Sequence, residues 1–352
     1  MSASITIAAV GDILMWGTQI TSAKVPKTNR YSFSPMFKEV VPYLKKADLA
    51  IGNLETTFSG RESQYQKRNP RTTYPMFNCP DELATTLKKA GFHVLTTANN
   101  HCMDRGIKGL KRTISVLDRH GIAHTGTFST YKASKKLLIK NVKGVKVGIL
   151  AYTYGTNFIP VPKGKSWAVN LINEQKIISD MKRLKRKKAD AIIVCLHFGR
   201  EFHRFASEKQ KNLVEKLFAH GADIILGAHP HVLQPIVYKK VKAKDNSRKK
   251  RVAIYSLGNF ISDMMRNNMH TVSAAILYVT VHKNSRGKVV ISNVKSVPTW
   301  VQRIKKNNNM RFRVLPVRKF IQRPDSSIRS KDLTVLKKVL RQTRSHLRPR
   351  SE

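Results

Sequence analysis

Short apolar runs that stop abruptly at a polar cluster recur along this chain, and between them lie stretches whose apolar residues fall at helical spacing. Ile5-Thr6-Ile7-Ala8-Ala9-Val10 is β-prone and halts at Gly11. Leu49 to Leu54, His93 to Thr97, Ile122 to Thr125, Ala191 to Leu196 and Asp223 to Leu226 repeat the form, each of strand length and rich in residues that suit a pleated surface. Amphipathic helices are predicted over Asp81 to Ala90, Lys108 to His120, Glu174 to Lys188 and Ser207 to His220. The last opens with Ser207 and Gln210 at capping-box spacing and stops before Gly221. Strands alternating with helices predict an α/β domain in which helices cover the sheet and ligands collect beyond the carboxyl ends of the strands.

From Leu137 the pattern changes. Leu137 to Val142 and Val145 to Tyr152 flank Lys143-Gly144, a hairpin signal. Val232 to Tyr238, Val252 to Ser256, Val272 to His282 and Lys288 to Val301 continue as extended runs, so a second, partly antiparallel sheet is expected. Two facing sheets with helices outside make a four-layer α/β/β/α sandwich. Residues 5–301 are read as this domain. Beyond about Gln302, Lys305-Lys306-Asn307-Asn308-Asn309 and Pro324-Asp325-Ser326-Ser327 punctuate a basic C-terminal extension, 302–352, with a helix predicted over Asp332 to Gln342.

Five polar clusters sit where apolar runs end: Gly11-Asp12, Asn53-Leu54-Glu55, Asn99-Asn100-His101, His197-Phe198-Gly199-Arg200-Glu201 and Gly227-Ala228-His229-Pro230-His231. Taken singly, each has an ordinary explanation: a loop-capping Asp12, a solvated Glu55, an Asx-turn with a surface histidine, a hydrogen-bonded core His197. Taken together they predict one metal centre. Carboxylate, amide and imidazole donors without thiolate suit Mn, Fe or Zn in a reactive site rather than a structural zinc knot. His229-Pro230-His231 is the strongest single signal, because on extended chain two imidazoles two residues apart point in similar directions. Neither a nucleophile elbow nor a phosphate-cradling glycine loop occurs.

The chain has 352 residues, 41% of them apolar, enough for a sizeable core. Its 66 Lys and Arg against 21 Asp and Glu give a formal charge of +45, a field that attracts polyanions of any kind. The basic runs Met181 to Lys188 and Lys239 to Arg251 are read either as solvated faces or as a polyanion track leading to the metal edge. They offer little aromatic surface beyond Tyr238, which places nucleic acid behind other acidic polymers. Cys79, Cys102 and Cys195 show no paired spacing and fit thiols in a reducing compartment. No signal-peptide pattern or membrane-spanning run is seen, so a cytoplasmic or peripherally attached protein is expected.

In order, Gly11-Asp12, Asn53-Leu54-Glu55, Ala98-Asn99-Asn100-His101, His197-Phe198-Gly199-Arg200-Glu201, Gly227-Ala228-His229-Pro230-His231 and Ser256-Leu257-Gly258-Asn259-Phe260 resemble the CapA family of bacterial poly-γ-glutamate capsule proteins, itself similar to the calcineurin-like metallophosphoesterases. The resemblance spans about Ile5 to Val301. It implies a four-layer sandwich with a two-metal centre at its edge, in which Asp12, Glu55, Asn100, His197, His229 and His231 are ligands and His101 is the catalytic imidazole. Asn99, Arg200, Glu201 and Asn259 would line the site. Metallophosphoesterases usually begin Asp-x-His, and Leu14 stands here in place of that histidine. The function implied is synthesis, export or processing of an acidic γ-glutamate polymer by a metal-dependent hydrolase, with the polymer-synthase complex or an anionic membrane as partner. A non-catalytic polymer-binding scaffold and a nucleic-acid phosphodiesterase are the alternatives.

Overall fold

The computed structural model describes residues 2–242, 248–306 and 309–348. Alternation along the strands sets up the layers. In strand Ala3–Ile13, Ile5, Ile7 and Ala9 enter one core while Ala8 and Val10 enter another. In strand Ala191–His197, Ala191, Ile193 and Cys195 join that first core while Ile192, Val194 and Leu196 enter a third. A strand buried on both faces must read as continuously apolar, and these do.

The first sheet runs in the order Asn309–Pro316, Val289–Lys306, Ser273–Lys283, Ala3–Ile13, Leu49–Leu54, Val94–Thr96, Ala123–Thr125, with Asn259–Ile261 pairing beside Ala3–Ile13. The second runs Leu233–Lys242, Arg248–Leu257, Ile224–Ala228, Ala191–His197, Val145–Thr153, Leu138–Val142. Their facing sides share one core that includes Ile7, Ile51, Ile193, Leu226 and Leu277. Helices Glu82–Ala90 and Gly106–Arg119 cover the outer face of the first sheet through Leu83, Leu87 and Leu117. Helices Glu174–Arg186 and Glu208–Ala219 cover the second through Ile177, Met181, Val214 and Phe218. The architecture is the expected α/β/β/α sandwich. Ser207 and Gln210 form the expected capping box, and Lys143-Gly144 turns the hairpin with φ of 48° and 82°.

Two expectations need correction. Val272 to His282 and Lys288 to Val301 do not extend the second sheet; as Ser273–Lys283 and Val289–Lys306 they pair antiparallel with the first, beside Ala3–Ile13. The expected domain boundary after Val301 falls inside strand Val289–Lys306, which pairs onward with Asn309–Pro316. From helix Ser330–His346, Leu336 and Val339 enter the same core as Ala8 and Val10.

Candidate metal centre

All five polar clusters arrive at one rim. Asp12 lies at the end of Ala3–Ile13, Glu55 follows Leu49–Leu54, Asn99 to His101 follow Val94–Thr96, His197 ends its strand, and His229 and His231 follow Ile224–Ala228. Those strands run parallel within each sheet, so their carboxyl ends share an edge. Close approach needs glycine at two positions. A Cβ on Gly11 would overlap the Gly258 carbonyl oxygen, which accepts from the Asp12 N–H at 3.0 Å, and one on Gly227 would overlap the Tyr255 carbonyl.

Asp12, Glu55, Asn100, His101, His197, His229, His231 and Asn259 are all buried. Asp12 Oδ1 accepts from Asn53 Nδ2 at 2.8 Å, and Oδ2 accepts from the His229 N–H at 3.3 Å. His231 Nδ1 lies 2.9 Å from Asn259 Oδ1 and 3.4 Å from Asp12 Oδ2. His197 Nε2 lies 2.6 Å from Asn100 Oδ1 and 3.3 Å from Glu55 Oε1. Donor atoms of Glu55, His197 and His229 fall within 4.8 Å of one another, as do those of Asp12, Glu55 and His231, so Glu55 is common to two trios. The His229-Pro230-His231 segment is not extended, contrary to the sequence reading. His229 and His231 take φ of 98° and 59°, and a left-handed turn rather than strand alternation brings the two rings to 5.9 Å.

The electrostatics suit a cation. Burial, with Asp12 alongside, pushes the Glu55 carboxyl well above the usual range. Among the described residues neither Glu55 oxygen nor His229 Nδ1 has a hydrogen-bond partner, and buried polar atoms left so are costly unless something charged satisfies them. Burial pushes His197 down to about 3 and His229 well below its ordinary value, the latter helped by the neighbouring imidazoles. Both rings are therefore neutral, the form that ligates metal. Burial alone would depress His231 and raise Asp12, but their mutual bond and charge prevail and shift each the other way. The donor set fits a divalent cation.

Not every expected residue joins the cluster. Asn99 is turned into the protein: Nδ2 donates to the Leu54 carbonyl at 2.7 Å and Oδ1 accepts from the His101 N–H at 3.1 Å. Arg200 is exposed and lines no part of the adjoining pocket. That pocket, about 440 Å³, meets the cluster at His101, Glu201 and His231, and carries an apolar wall that includes Leu14, Trp16 and Phe77. Leu14 is buried against Phe77 and Met265.

Sequence reading missed three supports. Asp104 Oδ2 lies 2.7 Å from His101 Nδ1 and also accepts from the Phe77 N–H at 2.6 Å; the His-x-x-Asp spacing was its only signal. Asn53 bonds both Asp12 and, at 3.3 Å, His197 Nδ1. Tyr154 stacks on His197 and leans on His229.

Neither basic run leads to this rim. Helix Glu174–Arg186 ends just before strand Ala191–His197 begins, so Lys182 to Lys188 lie at the start of a strand whose other end holds His197. At about 3.3 Å per residue that separation is roughly 20 Å. Strand Leu233–Lys242 likewise leaves the rim and Arg248–Leu257 returns to it, placing the Lys239, Lys240, Lys250 and Arg251 pairings on the far side. Residues 243–247 of that run lie outside the described residues.

Comparison with known proteins agrees with the geometry. The chain is 34% identical over 264 residues to the capsule biosynthesis protein CapA of Bacillus anthracis, covering 74% of this chain and 60% of that protein. It is 29% identical over 294 residues to the PGA biosynthesis protein CapA of Bacillus subtilis, covering 81% and 70%. Among solved structures it resembles the Haemophilus influenzae NAD nucleotidase NadN (TM-score 0.53, 12% identity, 99% of this chain, 64% of that one). It also resembles the calcineurin-like phosphoesterase YfkN of Bacillus subtilis (TM-score 0.52, 12% identity, 97% and 100%). At that identity these two likenesses speak for the fold alone. The profile described as bacterial capsule synthesis protein PGA_cap matches residues 6–264, and the chain belongs to that family, on a calcineurin-like phosphoesterase fold.

Proposed function

We propose that this protein acts in the synthesis, export or processing of a poly-γ-glutamate chain, as a metal-dependent hydrolase working at the buried rim cluster. The observation that carries the reading is Glu55: a buried carboxyl without hydrogen-bond partners, shared by two trios of ligating side chains. The capsule and PGA biosynthesis proteins at 34% and 29% identity support the polymer as substrate class.

Two ions, of Mn, Fe or Zn, would be held by Asp12, Glu55 and His231 on one side and by Glu55, Asn100, His197 and His229 on the other. Bound there, they supply Lewis-acid polarisation and an activated water. The chain's own residues do the rest. Asn53 and Asn259 fix Asp12 and His231 by the bonds described above, and Asn99 braces the loop that carries His101. With Nδ1 engaged by Asp104, His101 presents Nε2 to protonate the leaving atom, a γ-glutamyl nitrogen or a phosphoester oxygen. Glu201 stands at the mouth of the adjoining pocket, where substrate enters, while Arg200, its chain neighbour, is exposed outside it. Among the described residues no helix is long and apolar enough to cross a membrane; a peripheral place beside the polymer-synthase complex or an anionic bilayer is part of this reading, drawn by the +45 charge.

Metal analysis of purified protein, followed by hydrolysis assays on poly-γ-glutamate, a generic phosphodiester and an oligonucleotide, tests the reading. Metal-dependent turnover of the polymer is expected, falling by about 10²- to 10⁴-fold in His101→Ala with metal content retained. Tight polymer binding without metal or turnover would instead identify a scaffold. Oligonucleotide cleavage with indifference to polyglutamate would identify a nucleic-acid phosphodiesterase.

A further inference from the structure

Glu201 is held to the cluster more firmly than a residue at a pocket mouth needs to be. Its loop leaves the end of strand Ala191–His197 and is fastened to the His229–His231 segment by two backbone bonds, Phe198 N–H to the Ala228 carbonyl at 3.1 Å and Phe202 N–H to the Pro230 carbonyl at 2.8 Å. These bonds bracket Glu201. Making the turn puts Gly199 at φ 104° and Phe202 at φ 64°, and a non-glycine residue in the left-handed region persists only where its surroundings enforce it. The result is that a carboxylate oxygen of Glu201 and ring nitrogens of His229 and His231 lie within 4.8 Å of one another. Tyr74 donates its phenol hydrogen to Glu201 Oε1. On the other side of the trio, His229 Nδ1 is buried and has no hydrogen-bond partner among the described residues.

Leu14 supplies the second half of the argument. A side chain at that position could have been a third kind of donor to the ion beside Asp12, Glu55 and His231, and leucine offers none. Ions of this class take about four to six donors, so three from the protein leave room for a further one beside the open position that a reactive site keeps. We infer that Glu201 is a metal ligand: its carboxylate contributes to the ion on the His231 side the donor that Leu14 withholds, and Tyr74 is the positioning residue that aims it. This rests on the rim cluster being a metal centre, as proposed above, and moves Glu201 from substrate contact to ligand. One oxygen is oriented by the Tyr74 hydroxyl, as the partners of ligating carboxylates commonly are.

The test is titration of Mn²⁺ into the chelator-treated full chain by calorimetry, with bound metal counted by mass spectrometry and Co²⁺ absorption recorded as a signature of ligand number. Glu201→Gln and Glu201→Ala are expected to weaken one bound ion by about 10- to 100-fold or more, since loss of even an outer partner of a ligand costs that much. They are expected to change the Co²⁺ bands as well, and Tyr74→Phe to act in the same direction with smaller size. Thermal unfolding of each metal-free variant checks folding, and the glutamine variant, which keeps the side-chain volume, decides if alanine unfolds. Glu201 variants with wild-type stoichiometry, affinity and Co²⁺ spectrum overturn the assignment of Glu201 alone. Wild-type protein that takes up no ion overturns the metal centre and this ligand with it. Wild-type protein that binds metal and hydrolyses nothing removes only the hydrolase reading.

Discussion

A carboxyl group enclosed on all sides, with no hydrogen-bond donor for either oxygen and Asp12 beside it, keeps its proton to unusually high pH, and this is the situation of Glu55. Because its folded-state value is raised, this group binds more proton in the folded metal-free protein than in the unfolded chain. Stability from this group is therefore present below the ordinary carboxylate range and is lost as pH rises toward the raised value. A cation entering the cluster must displace that proton. Calorimetric titration with Mn²⁺ in two buffers of different ionisation enthalpy is expected to show proton release, and Glu55→Gln to reduce it without abolishing it, because His231, whose value Asp12 raises, must also lose its proton to ligate. Equal release by wild type and Glu55→Gln would mean the proton comes from elsewhere. His197 and His229, held neutral by burial, contribute none. Asp12, Glu55, Asn100, His197, His229 and His231, the ligands we propose, stand out in the sequence because each interrupts or ends an apolar run, where a buried polar side chain demands a reason. Asp104 and Tyr74 do not, since nothing along the chain distinguishes a carboxylate that orients His101 from one that caps a turn. The contacts that define them are made across the fold.

The central strands up to Leu257 were readable for a similar reason: both faces of a central strand are buried, so the run is apolar throughout and its ends are sharp, whereas the short elements Gly17–Ala23, Val41–Lys45 and Pro75–Phe77 carry no such signal. After Ser273 the signal weakens. Strand Val289–Lys306 buries Ile291, Trp300 and Val301 but exposes Ser292, Asn293, Lys295 and Ser296 between them and Arg303 and Lys305 beyond, and such a strand looks like a polar linker. Helix Ser330–His346 is disguised in the same way, with Leu336 and Val339 fully buried beneath a cationic outer face. We propose that the segment after Gln302 is part of the folding unit rather than an appendage. Leu336→Ala is expected to destabilise the protein by about 2–5 kcal/mol, the cost of emptying a packed leucine site, read as a lowered midpoint in denaturant. A change within about 0.5 kcal/mol, the size of an ordinary surface substitution, would return the helix to appendage status. His346 adds a link to the rim. Its Nε2 lies 2.8 Å from the Arg204 carbonyl and 3.0 Å from that of Leu233, just beyond the two segments that present Glu201 and His231. His346→Ala is therefore expected to loosen Mn²⁺ binding as well as lower the unfolding midpoint, whereas a helix serving only as ballast would change the midpoint alone.

Charge is the property of the entire chain that composition states most loudly and localises least. A formal +45 implies acidic partners, yet the two densest basic runs sit at the rim opposite the cluster, because one lies where helix Glu174–Arg186 gives way to the start of strand Ala191–His197 and the other at the far turn of the hairpin whose strands leave and return to the cluster's rim. Cations near the pocket are fewer: Arg68 and Arg266 line it, the latter with its guanidinium 4.7 Å from the Phe202 ring centre. We propose that bulk attraction and productive binding are thereby separated in space: the far rim raises the local concentration of a polyanion through a field that salt screens within about 10 Å at 0.1 M, whereas the two pocket arginines meet the segment that enters the site. Replacing Lys182, Arg186 and Lys187 by glutamate should weaken poly-γ-glutamate binding and flatten its dependence on salt concentration, since fewer counterions are released, while leaving turnover at saturating polymer unchanged. Replacing Arg68 and Arg266 by glutamine should raise KM for the polymer and barely alter the salt slope. Binding isotherms across a sodium chloride series, paired with turnover under the same conditions, separate the two effects. If both sets of substitutions shift KM and salt slope alike, the field acts as one undivided surface and the pocket arginines have no special part in reading the polymer.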